Sequence, residues 1–105
     1  MIKNPQVNKL LNLVDYQEGT IVSKTLIDKK AGTTTLFAFD KNQGLSEHTA
    51  PYDALVIILE GEAKITISGK AFILKKDDSI IMPAKKPHAV YALTKMKMFL
   101  VMIHS

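Results

Sequence analysis

The sequence predicts an all-β fold, a small antiparallel barrel or sandwich with one short helix at its N-terminal end. Three observations lead there. From Gly19 onward, β-branched and aromatic runs follow one another with turn residues between them. The punctuation at Gly61, Gly69 and Asp77–Asp78 comes every eight or nine residues, the spacing of short strands joined by tight turns. Helical periodicity occurs only near the N-terminus.

In order along the chain, Asn4-Pro5 reads as an N-cap followed by proline at the first helical position. Val7, Leu10, Leu11 and Val14 then recur at helical spacing, which predicts a short amphipathic helix over about residues 5–13. "TIVSKTLI" and "TTTLFAF" are strands separated by the turn cluster "DKKAG", and "DKNQG" at 40–44 is a loop. "ALVIIL", "AKITIS", "AFIL", "SIIM" and "AVYAL" follow as strands, divided by Glu60-Gly61, Ser68-Gly69-Lys70, Lys75–Asp78 and "PAKKP". "MKMFLVMI" is the last strand. "AKITIS" alternates as a half-exposed strand should, whereas "LVIIL" and "FLVMI" are apolar at consecutive positions, so both faces need cover. In a small barrel only one face points inward. A homodimer built on one outer sheet face is therefore the leading expectation, ahead of cover by the helix alone.

At 105 residues the chain is one domain, 1–105, long enough for a core and too short for two. It has no cysteine, which rules out disulfides and thiolate metal sites and is compatible with a reducing compartment. "MIKNPQVNKL" lacks the apolar core of a signal peptide, so a cytoplasmic location is expected. The longest apolar runs, 54–59 and 98–103, are six residues each, far short of a membrane span. The formal charge of +4 raises the question of nucleic acid. The lysines are scattered over predicted turns, however, and the chain has no arginine, the usual base reader, so no nucleic-acid partner is expected.

Two stretches carry the chemistry. "H48–T–A50–P–Y–D–A54–L–V–I–I–L–E60–G61" and "P83–A–K–K–P87–H88" together resemble the two conserved motifs of the cupins, over roughly residues 33–93. The first motif of that family runs G-x5-H-x-H, three or four residues, E, six residues, G. His48 takes the first histidine position and Gly61 the closing glycine. The second runs G-x5-P-x-G-x2-H-x3-N, and Pro83 and His88 match it. The chain departs from the pattern at Asn42, Asp77 and Lys85, which replace glycines. It departs again at Ala50, Ala54 and Ala92, which replace a histidine, a glutamate and an asparagine. The resemblance implies a jelly-roll β-barrel. It also implies a metal held by four ligands, of which His48 and His88 remain.

A protein zinc site normally offers at least three side-chain ligands, and a non-haem iron site two histidines and a carboxylate. The nearest carboxylate is Asp53, which strand alternation points away from the interior unless Pro51 and a local bulge turn it inward. Glu47 fails by the same parity. The leading expectation is thus a metal-free pocket inside the barrel, lined by His48, His88, Ala50, Ala54, Tyr52 and Met82. Neutral imidazoles there would hydrogen-bond a small sugar or organic acid in space that the alanines leave open. One alternative is a metal-dependent enzyme of isomerase or oxygenase type, with Fe, Mn, Ni or Zn on His48, His88 and Asp53, or a metal-free acid–base catalyst on the two histidines. Another is a structural dimeric protein whose histidines only satisfy the core. His104 matches neither motif and reads as a frayed terminal residue, while Glu60 and Glu62 read as an exposed turn.

Overall fold

The computed structural model describes residues 4–104. One 3-10 turn, Leu10–Asn12, precedes nine strands. These are β1 (Ile21–Lys29), β2 (Gly32–Phe39), β3 (Gly44–His48), β4 (Asp53–Glu60), β5 (Glu62–Ile67), β6 (Lys70–Lys75), β7 (Ser79–Met82), β8 (His88–Ala92) and β9 (Met96–Ile103). Strands β1-β2-β9-β4-β7 form one sheet in that order, and β3-β8-β5-β6 form the other. All paired neighbours are antiparallel. The sheets face each other as a jelly roll. No helix among the described residues is long and apolar enough to cross a membrane.

Alternation decides what fills the barrel. β4 turns Ala54, Val56 and Ile58 inward, and β5 turns Ala63 and Ile65 inward to meet them. Phe39, Ile58, Ile65, Met96 and Met98 are fully buried in the same cluster, so packed hydrocarbon occupies the interior. The eight strand runs expected from the sequence are present. β3 is the addition, since "GLSEH" has no apolar alternation and becomes a strand by pairing with β8.

The expected helix over 5–13 is corrected to the single 3-10 turn Leu10–Asn12. Lys9, before it, is extended at φ −94° and ψ 117°, and Val7 is 96% exposed and so contributes nothing to a buried face. A nine-residue helix is below the length that holds itself together in water, and the turn that does form has no acidic first-turn residue and no side-chain cap at Lys9. The segment instead lies as a strap across the outer face of the five-stranded sheet. Leu10, Leu13, Val14 and Tyr16 pack there on Leu36, Ala38, Leu59 and Phe99. Lys97, only 8% exposed, donates from Nζ to the Leu11 carbonyl oxygen at 2.6 Å, which ties the strap to β9. Tyr16 donates its hydroxyl proton to the Glu60 carboxylate, so Glu60 is a half-buried anchor and not a free turn residue. Burial and that carboxylate hold the Tyr16 phenol well above the ordinary range.

Three turns keep a backbone conformation that their residues do not favour. Asn42, Asp77 and Lys85 stand at φ 69°, 73° and 66°. These are three of the four positions at which the cupin pattern has glycine; Gly61 keeps the fourth. Each donates its N–H across the fold: Asn42 to the Ala92 carbonyl, Asp77 to Ile58 and Lys85 to Ala50, at 2.9, 2.7 and 2.7 Å. The cross-links fix the sign of φ although the side chain opposes it.

Candidate functional site

His48 ends β3 and His88 begins β8, and the two are register partners. The pairing runs Leu45↔Val90 and then His48↔His88, so β3 uses one residue more than β8 between those pairs. Strict alternation from the inward Leu45 would turn Glu47 toward the barrel. The extra residue of the bulge gives that place to His48. His88 is buried at 5% exposure, while His48 lies exposed above it. Forty residues of sequence separate two rings whose centroids are 4.4 Å apart at an edge-on 71°.

The hydrogen bonds around the pair are unusual. His48 Nδ1 lies 2.8 Å from the Ser46 carbonyl oxygen, and His88 Nδ1 lies 3.2 Å from that of Lys86. A carbonyl only accepts, so each Nδ1 is satisfied as a donor. That leaves the lone pairs of both Nε2 atoms facing each other at 3.1 Å. Two acceptors at that distance are reconciled by one shared proton, or by one ring carrying its proton on Nε2 instead of Nδ1. Burial lowers the pKa of His88 below its ordinary 6.5. The Lys86 carbonyl opposes this and the neighbouring His48 adds to it.

The other expected residues divide. Ala54 and Met82 are register partners in the packed core, each 4% exposed, and Ala50 is half-buried beside the loop that leads to His88. The interior around Ala54 and Met82 is thus filled by packed side chains, with the histidine pair above it at the barrel end. Tyr52 stacks on His104, centroids 4.0 Å apart, and lines a hollow with Lys30, Ala31 and His104. That stack also gives the terminal histidine a partner, and the His104 N–H donates to the Ala31 carbonyl at 2.8 Å.

Asp53 does not join the histidines. Its Oδ1 accepts the Ala84 N–H at 2.8 Å, and with the Lys85 N–H on the Ala50 carbonyl it pins the loop from Pro83 to Pro87. The sequence pattern missed this role, and the only hint was a carboxylate of the wrong parity near a proline-bounded loop. Among the described residues, no group of three or more His, Cys, Asp or Glu is placed to hold a metal ion. The residues present do not fit a three- or four-ligand metal centre, because Ala50 and Ala54 offer no donor and Asp53 is committed to the loop.

Residues 35–104 match a family model described as "Cupin domain". A conserved protein of unknown function from Streptococcus pyogenes is 35% identical, with a TM-score of 0.94 over 99% of this chain and 91% of its own. A cupin superfamily protein from Desulfitobacterium hafniense is 27% identical, with a TM-score of 0.93 over 99% of this chain and 95% of its own. A cupin 2 conserved barrel domain protein from Leptotrichia buccalis is 46% identical with a TM-score of 0.86. The match covers 90% of this chain and 46% of that one. No curated protein matches the chain.

Proposed function

The chain belongs to the cupin family, and on that premise we propose that it is a binding barrel for a small polar metabolite, of sugar or organic-acid type, held at the rim by His48 and His88. The observation that carries this reading is the pair of Nε2 atoms 3.1 Å apart while both Nδ1 atoms lie against backbone carbonyls. A hydroxyl group donates into such a pair. Once the pair holds an extra proton, it donates to a carboxylate instead. The exposed edge of His48 and the small side chain of Ala50 leave the approach open.

The test is a panel of monosaccharides, sugar acids and short keto acids, followed by the imidazole NMR signals and by melting temperature. A bound ligand is expected to shift both His48 and His88 signals and to raise the melting point, because it favours the native state. His48→Ala should abolish both effects. A panel in which no member moves either imidazole would overturn the reading.

A second reading, an enzyme whose metal is held by the two histidines alone, draws support from the tethered Nδ1 atoms, since a metal-binding histidine is commonly oriented by such a bond on its other nitrogen. Metal retained stoichiometrically by untagged protein and lost in His48→Ala would favour it over simple binding.

A further inference from the structure

The four-stranded sheet turns its outer surface away from the histidine pair. Ala63, Ile65, Val90 and Ala92 are buried, so the residues between them point outward: Lys64 and Thr66 on β5, Ala89 and Tyr91 on β8. His88 shares the parity of Val90 and therefore lies on the opposite face of β8. Lys64 is the register partner of Tyr91, and Thr66 of Ala89. On β3, Gly44 partners Tyr91, while Ser46 and Glu47 stand opposite Ala89 within the bulge. A hollow of about 390 Å³ opens here, with Gly44 and Ala89 too small to fill it and Ser46, Thr66, Lys64 and Tyr91 around it. Tyr91 is fixed in place. Its hydroxyl donates to Asn42 Oδ1 at 3.0 Å, and its ring lies against Gly44, where a Cβ would come 3.4 Å from Tyr91 Cδ1 and 2.6 Å from the Val90 carbonyl oxygen. Lys64 Nζ stands 5.6 Å from the ring centroid. Held in this way and still 37% exposed, the ring keeps a rigid apolar surface in water.

We propose that this hollow is a second binding site, on the outside of the barrel, for an acidic sugar: one pyranose ring carrying a carboxylate. Size favours such a ligand. Small-molecule pockets begin at about 300 Å³. A stable protein interface takes about 20–30 residues a side, several times the eight that line this hollow. The chemistry is that of a sugar. The C–H face of a pyranose packs on an aromatic ring such as Tyr91, and its hydroxyls need partners that both donate and accept, as the hydroxyls of Ser46 and Thr66 do. Charge settles the class. Lys64 is the one charged residue among those that line the hollow, and the Tyr91 ring keeps its ammonium beside the stacking surface. A carboxylate on the sugar then reaches Lys64 while the ring stays on Tyr91. A neutral sugar leaves the ammonium unmatched, and a simple carboxylate leaves the aromatic face and both hydroxyls unused.

Glucuronate, glucose and acetate, each titrated at low ionic strength and followed by the amide NMR signals, test the proposal. Glucuronate is expected to shift the signals of Lys64, Thr66 and Tyr91 to saturation, glucose to shift them with weaker affinity, and acetate to leave them in place. Lys64→Gln should weaken glucuronate by about threefold, the worth of an exposed ion pair, and bring it level with glucose. Tyr91→Ala removes the stacking surface and Ala89→Leu fills the hollow with Tyr91 untouched, and each should abolish the shifts. All three positions face outward, so the core is left intact, and the amide spectrum confirms that each variant is folded. Movement of the His48 and His88 imidazoles reports the histidine site instead and survives Tyr91→Ala, so the two sites stand or fall separately. The proposal is overturned by glucuronate that shifts none of the three signals, by acetate that shifts them equally, by binding that Ala89→Leu leaves intact, or by a preference for glucuronate that Lys64→Gln retains. Shifts that follow protein concentration alone would give this face to a second copy of the chain and overturn it too.

Discussion

Replacing Gly61 by alanine separates two costs that usually arrive together. Gly61 sits between β4 and β5 at φ +79°. A methyl group there would overlap the Lys95 carbonyl oxygen and stand 2.8 Å from both Met96 Cβ and Thr94 Oγ1. Gly69, at φ +81°, has the same backbone conformation and open space where the methyl would go. Left-handed backbone costs an L-residue about 1–2 kcal/mol. The narrower freedom of alanine in the unfolded chain returns about 0.4–1 kcal/mol. Gly69→Ala should therefore lose about 1 kcal/mol. Forcing extra volume into a packed site adds about 1–3 kcal/mol. Gly61→Ala should lose about 2–4 kcal/mol, which for a domain of this size lowers the melting point by about 10–25 °C. Urea unfolding of both variants beside wild type measures the difference. If the two variants unfold at the same denaturant concentration, close approach of the Lys95 carbonyl is not what requires glycine at position 61.

Two further outcomes follow from the turns and from the histidines. Lys85→Gly should stabilise the protein by about 0.5–1 kcal/mol: it relieves left-handed strain of about 1–2 kcal/mol and adds an unfolded-state entropy cost of about 0.5–1 kcal/mol. Differential scanning calorimetry reads this as a higher melting point, and a lower one would show that the Lys85 side chain contributes more than its backbone costs. Because burial first, and then the nearby His48, depress the His88 pKa below 6.5, the native state binds fewer protons there than the unfolded chain. The associated stability is complete above pH 6.5 and is lost as the pH falls from there through the lower native value. Urea midpoints should fall over that window in wild type and change less in His88→Gln. Equal slopes would show that His88 is not the group responsible.

Much of the fold was legible because strands advertise themselves. Eight of the nine announce a period or an apolar run, and turns of Gly, Asp and Lys separate them. β3 gave no such signal, since Gly44–His48 is an edge strand whose side chains are mostly exposed. The N-terminal residues did show a helical period, but a sheet surface with apolar sockets and a lysine reaching for the Leu11 carbonyl outweighed so short a helix. The convergence of His48 and His88 could be read from motif spacing. The bulge that sets His48 beside His88 could not, because local sequence does not encode which residue of β3 is the extra one. Asp53 shows the limit most clearly: counting carboxylates near the histidines put it among possible ligands, whereas its partner is the Ala84 N–H. Asn42, Asp77 and Lys85 show the opposite case: their turns were legible from the neighbouring polar and proline residues, and only the left-handed backbone that each retains was not.

The buried amine of Lys97 gives the unaltered chain a built-in chemical clock. Its nitrogen is shielded for as long as it donates to the Leu11 carbonyl, whereas Lys95, two positions earlier, stays open to solvent. An acylating reagent should mark Lys95 at once and Lys97 only when the strap carrying Leu11 peels away. The lag between the two labels, read on one peptide, times that detachment without any substitution.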